Sequence, residues 1–339
     1  MLSTTFGDLA QQQALRRHAE AAKKDNLRFS RELMTGLVAD SAKRLGGDFS
    51  ELASVHHTLA LATAQADVAR SAGLFLSLQQ TGLDALRANV ESSLNDLILL
   101  NAGSSRSDIL RAFSLTEEQF HEAVSRLNTD FAGRPLFGGT SASLPVISGA
   151  TGLLDTLISD ITAALPPDPE FAVLSEFIDD WFAETGSFDS VGYLGGPKIP
   201  TRLDLGEGQT VGTDVTAQET AFRHTLATFA KGAILSREVF AFSTSELRGA
   251  ATHLSGGLRA ASGQLTALSG QIGIEEAKAS NAIARAEAAI YAMQTAQVEM
   301  LKADPYETAT RLEKTVSRLE LVFTLTSRLS RLTLAGFLR

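Results

Sequence analysis

Cysteine is absent from this 339-residue chain, which excludes disulfides, thiol catalysis and thiolate metal sites. Proline is scarce and confined: of eight, seven lie between Pro135 and Pro200 and the last is Pro305. A proline inside a helix costs roughly 3 kcal/mol, so the proline-free stretches 1–134 and 201–304 are free to form long helices. Aromatic residues are also few. Trp181 is the one tryptophan and tyrosine occurs at 193, 291 and 306, which favours close helix packing through Ala, Ser and Thr over a ring-lined pocket. No apolar run of about 20 residues is present to span a membrane. Met1–Glu20 has no charged leader, apolar core or small-residue cleavage site, so a secretory signal is expected to be absent. A basic stripe with interleaved aromatics is missing too, which makes nucleic acid a poor partner.

The charge that is present is unevenly placed. The net −9 resolves into −2 over residues 1–134, −9 over 135–235 and +2 over 236–339. Near-neutral ends can associate without self-repulsion, whereas an acidic centre suits a solvated, outward-facing domain. The length allows two or three packing units.

Heptad periodicity is strongest in the last third. Leu258, Leu265, Ile272, Ala279, Ala286, Met293 and Met300 recur every seven residues, and Leu254, Ala261, Leu268, Ala282, Ala289 and Ala296 form a companion stripe broken at Glu275. Such a helix needs a partner. One is predicted in the first third, where Leu83, Leu86, Val90, Leu94, Leu97 and Leu100 share a face that Leu52, Val55 and Leu59 continue upstream. A helix over about residues 49–101 would be roughly 80 Å long, the length of a rod.

Asn101-Ala-Gly-Ser-Ser105 breaks that helix, and Thr116-Glu-Glu-Gln119 reads as a capping box opening a shorter one. Gly133 to Thr140 then turns the chain into the centre. There, helices are predicted over 153–165, 171–182 and 217–235, with a β-hairpin from 198–205 and 209–215. After Pro305 the chain is helical again, with Leu312, Val316, Leu319 and Phe323 as one stripe, widened by Leu325, Leu329 and Leu332 before Phe337. The expected fold is therefore mainly α: a long antiparallel, coiled-coil-like rod formed by both ends, with a small α+β domain inserted. Its expected segments are an assembly helix at 1–40, rod halves at 41–140 and 236–304, the acidic insertion at 141–235 and a second assembly helix at 305–339. The stripes within 49–134 and 240–300 fit either an internal bundle core or an assembly surface. Residues 1–40 and 305–339 are expected to assemble subunits, since one helix pair alone leaves apolar surface open.

No catalytic, metal or cofactor set is expected. Glu118-x-x-His121 has half of a di-iron spacing and no second copy, and His56-His57 diverge by roughly 100° on a helix. The glycine pairs at 46–47, 138–139, 195–196 and 256–257 lack a phosphate-binding context, and the last pair suggests a bend. Asp179, Asp180 and His224 would support a hydrolase only if one pocket joined them.

Three stretches resemble the bacterial flagellin superfamily. Asp304-Pro-Tyr-Glu-Thr-Ala-Thr-Arg-Leu-Glu-Lys-Thr-Val-Ser-Arg-Leu-Glu320, with Leu329-Ser-Arg-Leu-Thr-Leu-Ala-Gly-Phe-Leu-Arg339, is similar to the family's C-terminal helix and its ending. Phe131-Ala-Gly-Arg-Pro-Leu-Phe-Gly-Gly-Thr140 resembles the turn into the exposed domain in the subgroup that joins hook to filament. Thr201-Arg-Leu-Asp-Leu205 and Gly208-Gln-Thr-Val-Gly-Thr-Asp-Val215 resemble that subgroup's hairpin. The Asn-Thr-Asn opening and Ser-Ser-Gly-x-Arg-Ile-Asn stretch of filament flagellin are missing; Glu32 to Gly36 and Leu45 to Ser50 stand in the comparable region. That departure favours the junction subgroup over filament flagellin, which is the alternative.

The resemblance implies a non-enzymatic structural protein of the extracellular flagellum, exported through the type III channel without a cleaved signal. It implies a ring of copies between an adjacent hook-associated protein and flagellin, and an export chaperone at the C-terminal helix. Leu312, Val316, Leu319, Phe323, Leu329, Leu332 and Phe337 would then be assembly contacts. Leu83, Leu86, Val90, Leu94, Leu97, Leu258, Leu265, Ile272 and Met293 would form the rod core.

Overall fold

The computed structural model describes residues 3–337 apart from 142, 144, 199–201, 207 and 213; the side chains of 3–9, 11, 12 and 329–337 lie outside the described ones. The fold is mainly helical. In chain order come α1 (Ser3–Thr35), α2 (Ser41–Arg44), α3 (Ser50–Ile98) and α4 (Arg106–Leu127), then strands β1 (Asp130–Phe131) and β2 (Arg134–Pro135). The centre holds α5 (Ala150–Ala164), α6 (Phe171–Phe182), a π-helical turn at Phe188–Gly192, strands β3 (Arg202–Asp204) and β4 (Thr210–Gly212), and α7 (Thr220–Ser236). The chain ends in α8 (Thr244–Leu301) and α9 (Pro305–Phe337). Contacts gather these into two compact units, Met1–Thr63 with Glu287–Arg339, and Ala64–Ala286.

In the first unit α1 packs along α9. The chain leaves α1 through Gly36, whose φ of +69° is the left-handed conformation that ends many helices. A bridge between Leu37 and Lys302 follows, flanked by Val38 N–H to Leu301 carbonyl and Ala303 N–H to Gly36 carbonyl, both 2.8 Å. Asp304 caps α9 by accepting the Tyr306 and Glu307 N–H groups at 2.8 and 2.9 Å, and Pro305 occupies the first turn, where its missing N–H does no harm. The start of α3 meets the end of α8 at His56 and Gln297.

The second unit is built on antiparallel α3 and α8. Gly73 faces Ala279, and Gln80 hydrogen-bonds Ser269. Leu83, Leu86, Val90, Leu97, Leu258, Leu265 and Ile272 are buried in one continuous core, and Leu94 packs against it. Met293 is half-buried and belongs to the other unit. The break in the heptad at Glu275 has a structural cause: its carboxylate accepts the Gly212 N–H at 2.9 Å, fastening the β3–β4 hairpin to α8. Burial pushes this carboxyl up, but the bonds from Lys278 and Gly212, with the charge of Arg202, outweigh burial and hold it below the usual range. The tie is therefore charged at neutral pH and weakens as pH falls into that lowered range. In the hairpin Arg202 pairs Gly212, Leu203 pairs Val211 and Asp204 pairs Thr210; predicted residues 199–201, 207 and 213 lie outside the described ones.

Three expectations are corrected. The capping box that opens α4 is Ser105 with Asp108, so the helix starts at Arg106; Thr116 lies buried inside it, its hydroxyl donating to the Ala112 carbonyl. Helix α8 runs through Gly256-Gly257 without interruption, and Gly257 marks close approach, since a Cβ there would lie 3.0 Å from Thr228. The central segment does not stand apart as an outward domain. Helix α7 is buried on every side, with His224 alone half-exposed between Ala221 and Leu235, and it packs on α4 and α6 within the core.

The α4–α7 approach passes through Gly232, where a Cβ would fall 2.7 Å from Thr116 Cγ2, while Gly256 has open space around it. Replacing either with Ala gains about 0.5–1 kcal/mol of helix propensity. Gly256→Ala should therefore raise the urea midpoint, and Gly232→Ala should lower it, because overpacking costs about 1–3 kcal/mol.

Candidate assembly surface

The inner seam of the α1–α9 pair is set by three- and four-residue spacing. On α1, Ala22, Phe29 and Glu32 are buried, with Leu15, Ala19 and Asn26 half-buried between and before them. On α9, Thr308, Thr315 and Val322 are buried, and Leu312 and Leu319 are half-buried. The polar members are locally satisfied: Thr315 donates to the Arg311 carbonyl at 2.8 Å, and Glu32 accepts the Ala39 N–H at 3.0 Å.

The predicted assembly stripe is thus split. Leu312 and Leu319 turn toward the seam, whereas Val316 and Phe323 are 40% and 65% exposed. The side chains of Leu329, Leu332 and Phe337 lie outside the described ones. Leu321 and Leu325 on α9 and Leu27 and Met34 on α1 are also exposed, a density of large apolar side chains unusual for a surface that meets only water. The chain matches no family model and no curated protein.

A polar cleft of about 700 Å³ lies beside α6, α7 and the π-helical turn, and it joins two of the three candidate hydrolase residues, Asp179 and His224, without Asp180. Each is engaged elsewhere. Asp179 holds the Lys231 ammonium at 2.6 Å, and His224 donates from Nε2 to the Gly257 carbonyl at 3.2 Å. Arg223 donates to the carbonyls of Gln218, Phe182 and Ala183 at 2.8, 3.3 and 3.0 Å and pairs with Asp189. The imidazole and carboxylate are therefore each held by a different partner and not by one another.

His56 Nε2 accepts from the Gln297 amide and is exposed, and Glu118 is exposed on α4. Among the described residues no three His, Cys, Asp or Glu side chains converge as a metal site. Sequence reasoning missed the Asn128 clamp, whose Oδ1 accepts the Val146 and Ile147 N–H groups, both at 2.7 Å, and whose Nδ2 donates to the Ile147 carbonyl. A lone asparagine after a helix carries no pattern that announces this.

Two outcomes follow from the charges around α7. Asp179→Ala leaves the buried Lys231 ammonium without its carboxylate, so it should lower the melting temperature more than the double change Asp179→Ala/Lys231→Met. Tyr193 donates its hydroxyl to the Gly196 carbonyl at 2.7 Å, and burial, then the Asp189 charge, push its phenol up to about 12 against the opposing Arg223. A raised phenol stabilises the fold below its unfolded value, near 10, and that contribution is lost as pH rises toward 12. Tyrosinate absorbance should resolve one late-ionising tyrosine, and Tyr193→Phe should remove that step.

Proposed function

We propose that this chain is a structural subunit of the bacterial flagellum, placed between hook and filament, that assembles through the α1–α9 pair. The observation that carries the reading is the open apolar row of Val316 and Phe323 on a helix whose neighbouring edge is already covered by α1. A second copy laid on that row would bury it, and burial at about 25 cal/mol per Å² is the main driving force for such association. The similarity of residues 304–320 and 329–339 to the C-terminal helix of the flagellin superfamily supports the same surface from an independent direction.

In this arrangement the terminal pair supplies the contacts between copies of a ring or tube. The ring meets an adjacent hook-associated protein on one side and flagellin on the other. Before assembly an export chaperone covers α9, which keeps the same apolar row from water.

The exposed and seam residues give separable variants. Val316→Asp/Phe323→Asp should leave helicity and melting unchanged while weakening self-association at least about a hundredfold, since placing carboxylates in a dry contact costs roughly 3 kcal/mol or more. Leu319→Asp should instead disturb the α1–α9 seam and lower helicity. In a strain deleted for the gene, electron microscopy should show intact hooks, with flagellin lost to the medium. Restoration of motility by the Val316→Asp/Phe323→Asp protein would overturn the reading.

A further inference from the structure

A groove of about 350 Å³ lies on the larger unit where the end of α3 meets the first turns of α8. Leu97 and Ile98 line it from α3, and Arg248, Thr252, Ser255 and Arg259 line it from successive turns of α8. Arg248 gives one N–H to the Ser104 carbonyl at 2.9 Å, and its Nε is buried without a partner. Among the described residues Arg259 has no ion pair or hydrogen bond, and no carboxylate lines the groove. Ile98 is 51% exposed and the adjacent Leu99 76%. Two cations beside open apolar side chains, with no anion, complement a helix face that carries carboxylates around an apolar residue.

The same chain has such a face on α6. Glu176 and Asp180, with Glu170 at the N-cap, surround Val173 at helical spacing, all are exposed, and among the described residues none of these carboxylates has a side-chain partner. Phe171, Leu174, Ile178 and Trp181 point the other way, into the unit. The groove and this face do not meet within one molecule. Helix α6 rests on His253 of α8, through Ser175 at 3.1 Å and the Phe171 ring. At roughly 100° per residue, His253 lies about 130° around α8 from the row of Arg248 to Arg259.

We infer that the acidic face of α6 in one copy docks in the Arg248–Arg259 groove of the next. Two different patches on opposite sides of one helix make a head-to-tail contact, which repeats around a ring or along a tube and does not close as a twofold dimer. This rests on the proposed assembly and adds to it a lateral contact that sets register. Charge complementarity of this kind governs orientation and encounter more than total affinity, and it weakens with salt.

The test uses the full-length protein, with self-association followed by sedimentation at low and high salt. Arg259→Glu and the double change Glu176→Lys/Asp180→Lys should each weaken association roughly tenfold at low salt and little at high salt. All the altered side chains are exposed, so melting should not change. Placing the three substitutions in one chain should restore low-salt association. Unchanged association of Arg259→Glu, when Val316→Asp/Phe323→Asp abolishes it, overturns the lateral contact and leaves the terminal-helix reading standing. Unchanged association in both overturns both. Loss in Arg259→Glu that the acid-to-lysine changes do not restore gives the groove to another occupant and likewise overturns the inference.

Discussion

Helix α7 is covered on all sides and yet brings an arginine and a lysine inside, and the larger unit is arranged around that constraint. Arg223 and Lys231 could not remain there unpaired, because an isolated ion in a low-dielectric interior is several kcal/mol too costly. Their carboxylates come from Asp189, in the π-helical turn, and Asp179, on α6. Those two elements are therefore held by charge as well as by Trp181, Phe182 and Phe188, whose rings pack on one another. Once α6 and the turn are fixed, α5 and the loop clamped by Asn128 have a surface to close against, and the core around α4 is sealed.

Much of this was legible in the sequence, for reasons that can be named. A repeat of apolar residues every three or four positions survives any tertiary context, so the helices α3 and α8 could be read directly, whereas whether their stripes face an internal core or another subunit could not. The break at Glu275 was visible, but its cause was not, because the hairpin that it binds is 63 residues away. The capping pattern occurs twice near α4, at Ser105 and at Thr116. Nothing local says which site leaves its backbone N–H groups free, and that is what decides the cap.

The inward placement of α7 was missed for a related reason. The acidic centre was expected to face outward, and the partners that hold Arg223 and Lys231 inside lie 34 and 52 residues upstream. At the terminal pair the sequence displays one wide apolar stripe. Only the position of α1, set by Ala22 and Phe29, separates the covered edge of Leu312 and Leu319 from the open edge of Val316 and Phe323. The candidate surface is thus a remainder: what an intramolecular partner leaves uncovered on a helix whose apolar stripe is wider than that partner.

The seam between α1 and α9 is also unusual in what it is made of. Ala22, Asn26, Thr308 and Thr315 occupy positions that leucine or isoleucine would fill in a tightly locked pair, and the Thr315 hydroxyl keeps its bond to its own helix whether or not α1 is present. These short and polar side chains alternate with Phe29, Leu312, Leu319 and Val322, so the seam buries less apolar area, at roughly 25 cal/mol per Å², than a leucine-filled one of the same length would. The two terminal helices are in this sense a mixed joint, held at spaced apolar positions with small and polar side chains between them.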